Sequence, residues 1–181
     1  MASKYYTGKG DDGSTGMLTP VRVQKDSPVI EAIGSLDELN SYIGVSMFYV
    51  RNDLVSRELG IMQNDLFIIG VELARMGTLA RGDIVLKENA VARLEEAIAS
   101  FGAKTPELKK FVMPGGCEGA VHLQYARSLA RKAERRIVSA SKEAHASKAV
   151  HAYLNRLSSL LFVLALYLNS VNGMEERNPM Y

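Results

Sequence analysis

Residues 160–168 read LLFVLALYL, the most apolar run in the chain, and the reading of this run decides the fold. No charge occurs from Leu157 to Met174. The continuous apolar core is nine residues long, well short of the roughly 20 that a spanning helix needs. Asn155, Ser158, Ser159, Asn169 and Asn172 set polar groups around it. A helix apolar on most faces but too short to span a bilayer belongs at the centre of a bundle. The run therefore predicts a buried helix over about Ser147 to Val171.

Working outward, Ala120 to Lys142 carries a second helical pattern. Before it, FVMPGGCEG (111–119) and Pro106 form a break, since Pro114-Gly115-Gly116 cannot continue a helix. Val91, Leu94 and Ile98 line one face of a helix over about Lys87 to Ser100. Leu59, Met62, Leu66, Ile69 and Leu73 do the same between about Leu54 and Leu79. Gly70, inside that stretch, costs about 1 kcal/mol against alanine unless close packing needs it. SLDELNSYIGVSMFYV (35–50) reads as a further helix, opened by Ser35 with Glu38 at the capping-box spacing. Residues 1–28, rich in Gly, Asp, Ser and Thr, read as an irregular arm. The expected fold is all-α: a five-helix up-and-down bundle (29–172) behind a Gly-rich N-terminal arm (1–28), in one domain over 1–181.

Composition narrows the function classes. A chain of 181 residues with 47% hydrophobic and 23% charged residues builds one compact core. A net charge of +2 gives bulk electrostatics no hold on nucleic acid or membrane, and neither partner is expected. The single cysteine, Cys117, excludes an internal disulfide and fits a reducing cytoplasm. MASKYYTGKGDDG at the N-terminus has no apolar h-region, so no signal peptide is expected.

Four features could carry chemistry. TGKGDDGSTG (7–16) offers backbone N–H groups and Lys9 to phosphate oxygens, but it is neither a Walker A loop nor a dinucleotide fingerprint. Alone, it reads equally as a flexible tail. In LQYARSLARKAERRI (123–137), Arg127, Arg131 and Arg135 fall within a stripe roughly 80° wide, with Glu134 on it, beside the apolar face. Such a stripe serves phosphate or carboxylate partners, or else is a solvated charge ladder or a set of intersubunit ion pairs. Asp37 and Glu38 sit where a first helical turn favours acids, or Asp37 partners an arginine of the stripe. Asn155 and Arg156 mark the polar end of the apolar helix, as an interhelical hydrogen bond or as a reader of an adenine or ribose edge. His122, His145 and His151 lack metal-site spacing, and no protein-held metal is expected.

Taken in order, YYTGKGDDGST (5–15), VIEAIGSLDELNSYIG (29–44), FVMPGG (111–116), ARSLARKAERR (126–136) and YLNRLSSLLF (153–162) resemble the PduO-type ATP:cob(I)alamin adenosyltransferases over nearly the whole chain. The resemblance implies transfer of the 5′-deoxyadenosyl group of ATP to Co(I) of reduced cobalamin, with release of triphosphate. It implies ATP binding by Thr7, Gly8, Lys9, Gly10, Thr15, Gly16 and Lys25 of the arm. Arg131, Lys132, Glu134, Arg135 and Asn155 of the helices join them. Arg131, Arg135 and Asp37 become the catalytic set, Asp37 pairing with Arg131 across a subunit interface. Phe111 becomes the aromatic placed against the corrin ring, filling the space of the lower axial cobalt ligand. The family assembles as a homotrimer with ATP between bundles; Mg2+ with the triphosphate and a flavin-type reductase as electron donor are also expected. Two positions depart from the family pattern: Gly8-Lys9 in the arm, and Lys132 in place of an arginine. Two rival classes use the same features, a nucleic-acid-binding bundle and an ATP sensor without corrinoid chemistry; Glu134 on the stripe and the low net charge weigh against the first.

Overall fold

The computed structural model describes residues 5–78, 84–144 and 146–180. Five helices make up the body: α1 (Pro28–Tyr49), α2 (Asp53–Ala74), α3 (Ala90–Gly102), α4 (Glu118–Ala140) and α5 (Lys148–Val171). In front of them, β1 (Ser14–Gly16) and β2 (Arg22–Gln24) form a small antiparallel hairpin with Thr15 opposite Val23. The arm is thus a short hairpin between loops.

Local chemistry sets the helix ends. Asn52 caps α2 by accepting from Val55 N at 3.1 Å, and Ser147 caps α5 by accepting from Val150 N. The first helix departs from expectation. It starts at Pro28, whose fixed φ and missing N–H suit a first turn, and not at Ser35. Ser35 is buried, and its hydroxyl donates back to Glu31 O at 2.8 Å, so no capping box forms. Asp37 and Glu38 consequently lie mid-helix, where the helix dipole gives no reason for them. At its far end α2 stops at Ala74, before Met76 and Gly77 in the left-handed region; the expected terminus at Leu79 lies outside the described residues.

The helices pack laterally in the order α2–α1–α4–α5–α3. Their shared core includes Leu39, Ile43, Met62, Leu66, Ile69, Leu123, Ile137, Tyr153 and Leu154, all essentially without solvent contact. α5 is long and apolar enough to cross a membrane, yet 56% of its most apolar window is buried within the bundle. It is the buried helix that LLFVLALYL predicts. One polar knot sits in this core: Tyr153 donates to Asp65 Oδ2 at 2.9 Å, and Asp65 also binds Arg93, joining α5, α2 and α3.

Candidate active site

The arm reaches the bundle already ordered. Asp12 Oδ1 accepts from Ser14 N (2.9 Å) and Ser14 Oγ (2.8 Å), and Arg22 Nη2 lies 3.7 Å away. The Ser14 backbone N–H, followed by the Ser14 hydroxyl, holds the Asp12 carboxyl below the usual carboxylate range. Arg22 also donates to Lys9 O at 2.6 Å, and Lys25 Nζ donates to Gly10 O at 2.7 Å. These bonds curl the Thr7–Gly10 segment over the hairpin, with Gly8 at φ 69° and Lys9 N donating to Thr7 Oγ1. A backbone bond from Leu18 N to Ala74 O then fastens the arm to the end of α2.

Beneath the arm lies a cavity of about 670 Å³ between β1, α1 and α2. Thr15, Gly16, Lys25 and Asp37 stand at its polar side, while Ile33, Leu66, Phe67 and Val71 supply an apolar wall. Its room comes from missing side chains. A Cβ added at Gly16, Gly34 or Gly70, all lining residues, would meet nothing within 4 Å. Close packing therefore does not require Gly70; the glycine keeps the space open. A pocket with an apolar wall and a lysine at its polar side is suited to a planar base carrying an anionic chain.

The arginine stripe is on another face. Arg127, Arg131 and Gln124 of α4, Ser158, Ser159 and Phe162 of α5, and Phe111 from the preceding loop line a groove of about 470 Å³. Phe111 is 79% exposed, an aromatic ring presented outward. Arg127 Nε donates to Gln124 Oε1 at 2.9 Å; burial, then the neighbouring Arg131 charge, pushes its guanidinium below the ordinary value. Next to this groove, Asn155 Nδ2 donates to Glu134 Oε1 at 3.2 Å and Asn155 Oδ1 accepts from Arg156, itself bonded to Glu95.

The residues expected at the site thus fall into two groups. Thr15, Gly16, Lys25 and Asp37 share the arm cavity; Arg131 and Phe111 share the groove, with Glu134 and Asn155 paired nearby. Arg135 is exposed on α4 and lines neither. Lys132 turns the other way and pairs with Glu38 on α1, beside an Arg136–Glu31 pair at 3.6 Å. Asp37, Arg131 and Arg135 have no ion-pair partner among the described residues. No cluster of three or more His, Cys, Asp or Glu that could hold a metal occurs among the described residues. His122 stacks on Tyr49 and bonds Tyr42, and His151 meets Ser141, as packing histidines do; His145 lies outside the described residues.

Sequence reasoning missed several contributors. Ile33, Phe67, Gly34 and Gly70 line the arm cavity, and Gln124 and Phe162 line the groove, without any motif of their own. The signal for Gly70 was present: a glycine in mid-helix with no turn to make.

A family model described as cobalamin adenosyltransferase matches residues 5–168. The chain is 39% identical over 175 residues to the corrinoid adenosyltransferase of Bacillus subtilis, covering 94% of this chain and 89% of that one. It is 41% identical over 174 residues to the cobalamin adenosyltransferase of Cupriavidus metallidurans, covering 94% and 91%. Among solved structures, a variant PduO-type ATP:corrinoid adenosyltransferase from Lactobacillus reuteri, complexed with cobalamin and ATP, superposes with a TM-score of 0.93 at 32% identity, covering 98% of this chain and 100% of that one.

Proposed function

The chain belongs to the cobalamin adenosyltransferase family, and we propose that its active site is completed between protomers, the arm cavity of one facing the arginine groove of the next. The reaction is transfer of the 5′-deoxyadenosyl group of ATP to Co(I) of reduced cobalamin. One observation carries the shared site. In a single protomer the cavity and the groove have no lining residue in common, and the acid of one and the arginines of the other both lack ion-pair partners among the described residues. A homotrimer, the assembly implied by the resemblance, would bring Asp37 against a neighbour's Arg131.

The chemistry asks little acid or base from the protein. The Co(I) electron pair attacks C5′, the cobalt–carbon bond forms, and the C5′–O bond breaks with its electrons leaving on triphosphate. No proton is transferred. The protein's tasks are orientation, neutralisation of the leaving group and exclusion of water. Thr7, Gly8, Lys9, Gly10, Thr15, Gly16 and Lys25 would hold the phosphates from one side; Arg131, Arg135, Glu134 and Asn155 would act from the other. Lys132, paired with Glu38, would swing from that pair or act through it. With no protein cluster for it among the described residues, Mg2+ would arrive on the triphosphate oxygens. Phe111, exposed at the groove mouth, would press on the lower face of the corrin ring and ease reduction of Co(II), with a flavin-type reductase supplying the electron. A single domain, with an arm through residue 28 and a bundle over 29–172, working in the reducing cytoplasm that the lone free Cys117 fits, completes the reading.

Hybrid assemblies test it. Lys25→Ala disables the arm side and Arg135→Ala the α4 side. Co-refolded mixtures of the two inactive variants should regain activity in sites built from one intact half of each. Mixtures that stay inactive would place the whole site within one protomer.

A further inference from the structure

The loop that carries Phe111 has no regular secondary structure, so its backbone polar groups need partners from elsewhere. They find them in one buried side chain and in the C-terminal tail. Asn169, near the end of α5, is 1% exposed. Its Oδ1 accepts from Cys117 N at 3.0 Å, and its Nδ2 donates to Gly115 O at 3.1 Å and to Glu176 Oε1 at 2.8 Å. The tail closes the same arrangement from outside. Met174 N donates to Asn169 O (2.9 Å), Met113 N donates to Arg177 O (2.7 Å), and Asn178 Nδ2 donates to Phe111 O (2.8 Å).

A buried amide with three bonds, all to the loop or the tail, is a fixed hub, because breaking one leaves a desolvated group unpaired. The loop is shaped to it. At Gly116, φ is 111°, and a Cβ there would lie 1.9 Å from Asn169 Oδ1. The chain of contacts then ends on Phe111 itself: its carbonyl is held by Asn178, while its ring is left 79% exposed. The backbone is restrained and the side chain is presented.

We infer that Asn169, through residues 174–178, is a positioning residue that fixes the depth at which Phe111 meets the corrin ring. This rests on the reading of Phe111 given above. Looseness at the ring matters most where Phe111 must displace a cobalt ligand, as in the route from Co(II). It matters less where cobalt is already reduced and needs only C5′ alignment.

The test compares adenosylation from cob(II)alamin plus reductant with adenosylation from pre-reduced cob(I)alamin, and records the absorption spectrum of cob(II)alamin bound with Mg-ATP. Asn169→Ala removes the hub. The tail double variant Glu176→Ala/Asn178→Ala alters only surface-accessible partners and leaves the bundle core untouched. Both should slow the Co(II) route by about tenfold or more, as expected for a misplaced contact group, and should lower the fraction of cob(II)alamin lacking its lower ligand. The Co(I) route and ATP affinity should change by less than about twofold on the same reasoning. Asn169→Asp sets a carboxylate against Glu176, and adding Glu176→Gln, a donor, should restore part of the spectrum. Phe111→Ala run alongside separates the two claims. If Phe111→Ala alters the spectrum while the hub and tail variants do not, the positioning role is wrong and the Phe111 reading stands. If Phe111→Ala is silent as well, both fall. Equal losses on both routes would mean a merely structural asparagine and would also overturn the inference.

Discussion

The Tyr153 hydroxyl, in the second turn of α5, donates to the Asp65 carboxylate on α2, which is itself bound by Arg93 of α3. One carboxylate thereby ties three helices together. Removing it leaves Arg93 without its counter-charge in a half-buried site, so Asp65→Ala should cost about 3–5 kcal/mol. Tyr153→Phe, which leaves the Asp65–Arg93 pair in place, should cost about 1 kcal/mol. Urea unfolding curves at neutral pH check both, and equal losses would contradict this ranking.

Burial first, and then the Asp65 charge, hold the Tyr153 phenol far above its ordinary value near 10. The folded chain keeps this proton when the unfolded chain releases it. Stability from this group is thus complete below pH about 10 and falls as pH rises above it. The Tyr153→Phe variant lacks this term. The stability gap between wild type and variant should shrink between pH 8 and pH 11 in the same unfolding assay, and a constant gap would show that the phenol ionises normally.

Gly70 lines the arm cavity with open space where its Cβ would be. In a helix interior, alanine gains about 0.5–1 kcal/mol over glycine. Gly70→Ala should therefore raise the melting temperature, while the larger Gly70→Leu should fill the cavity and weaken ATP binding, measured calorimetrically. Cobalamin binding should be spared. Unchanged ATP affinity in the leucine variant would remove this cavity from the nucleotide site.

Arg135→Ala should abolish turnover without changing the sedimentation of the assembly, since Arg135 has no ion pair to lose among the described residues. Near-normal activity would sink its assignment to the triphosphate.

Lys132 offers a sharper contrast. It pairs with Glu38 between side chains that are each nearly half exposed, so the pair contributes at most about 1 kcal/mol to stability. A large loss of kcat in Lys132→Ala with little loss of stability would show that the lysine leaves Glu38 for the substrate. Matching small losses in both would confine it to the ion pair.

Much of this was legible in the residues. LLFVLALYL could only be a core helix once its length was weighed against a bilayer, and Pro114-Gly115-Gly116 had to break the chain before α4. The start of α1 was not, because Ser35-x-x-Glu38 has the spacing of a cap whether or not a helix is already under way; Pro28 was the better signal. The Arg stripe was legible as a stripe, since periodicity alone sets it on one face of α4. That it and the arm stand on different faces was not, because it depends on α1 and α5 flanking α4, a pairing between distant segments. Asn169 was legible only as a polar interruption: its partners lie 52, 54 and 7 positions away, and no local pattern encodes them.

Arg127 and Arg131 lie one helical turn apart along the same groove, burial and then the Arg131 charge raising the cost of the Arg127 charge, with no acid paired to either among the described residues. The native chain thus holds a small electrostatic tension that a polyanion relieves. The leaving group of the reaction is such an ion. Inorganic triphosphate should accordingly raise the thermal midpoint of the protein even without the rest of ATP, by mass action on the folded state alone. The same relief would slow the exit of triphosphate, so the device that draws the phosphates in also sets how long the spent ones linger.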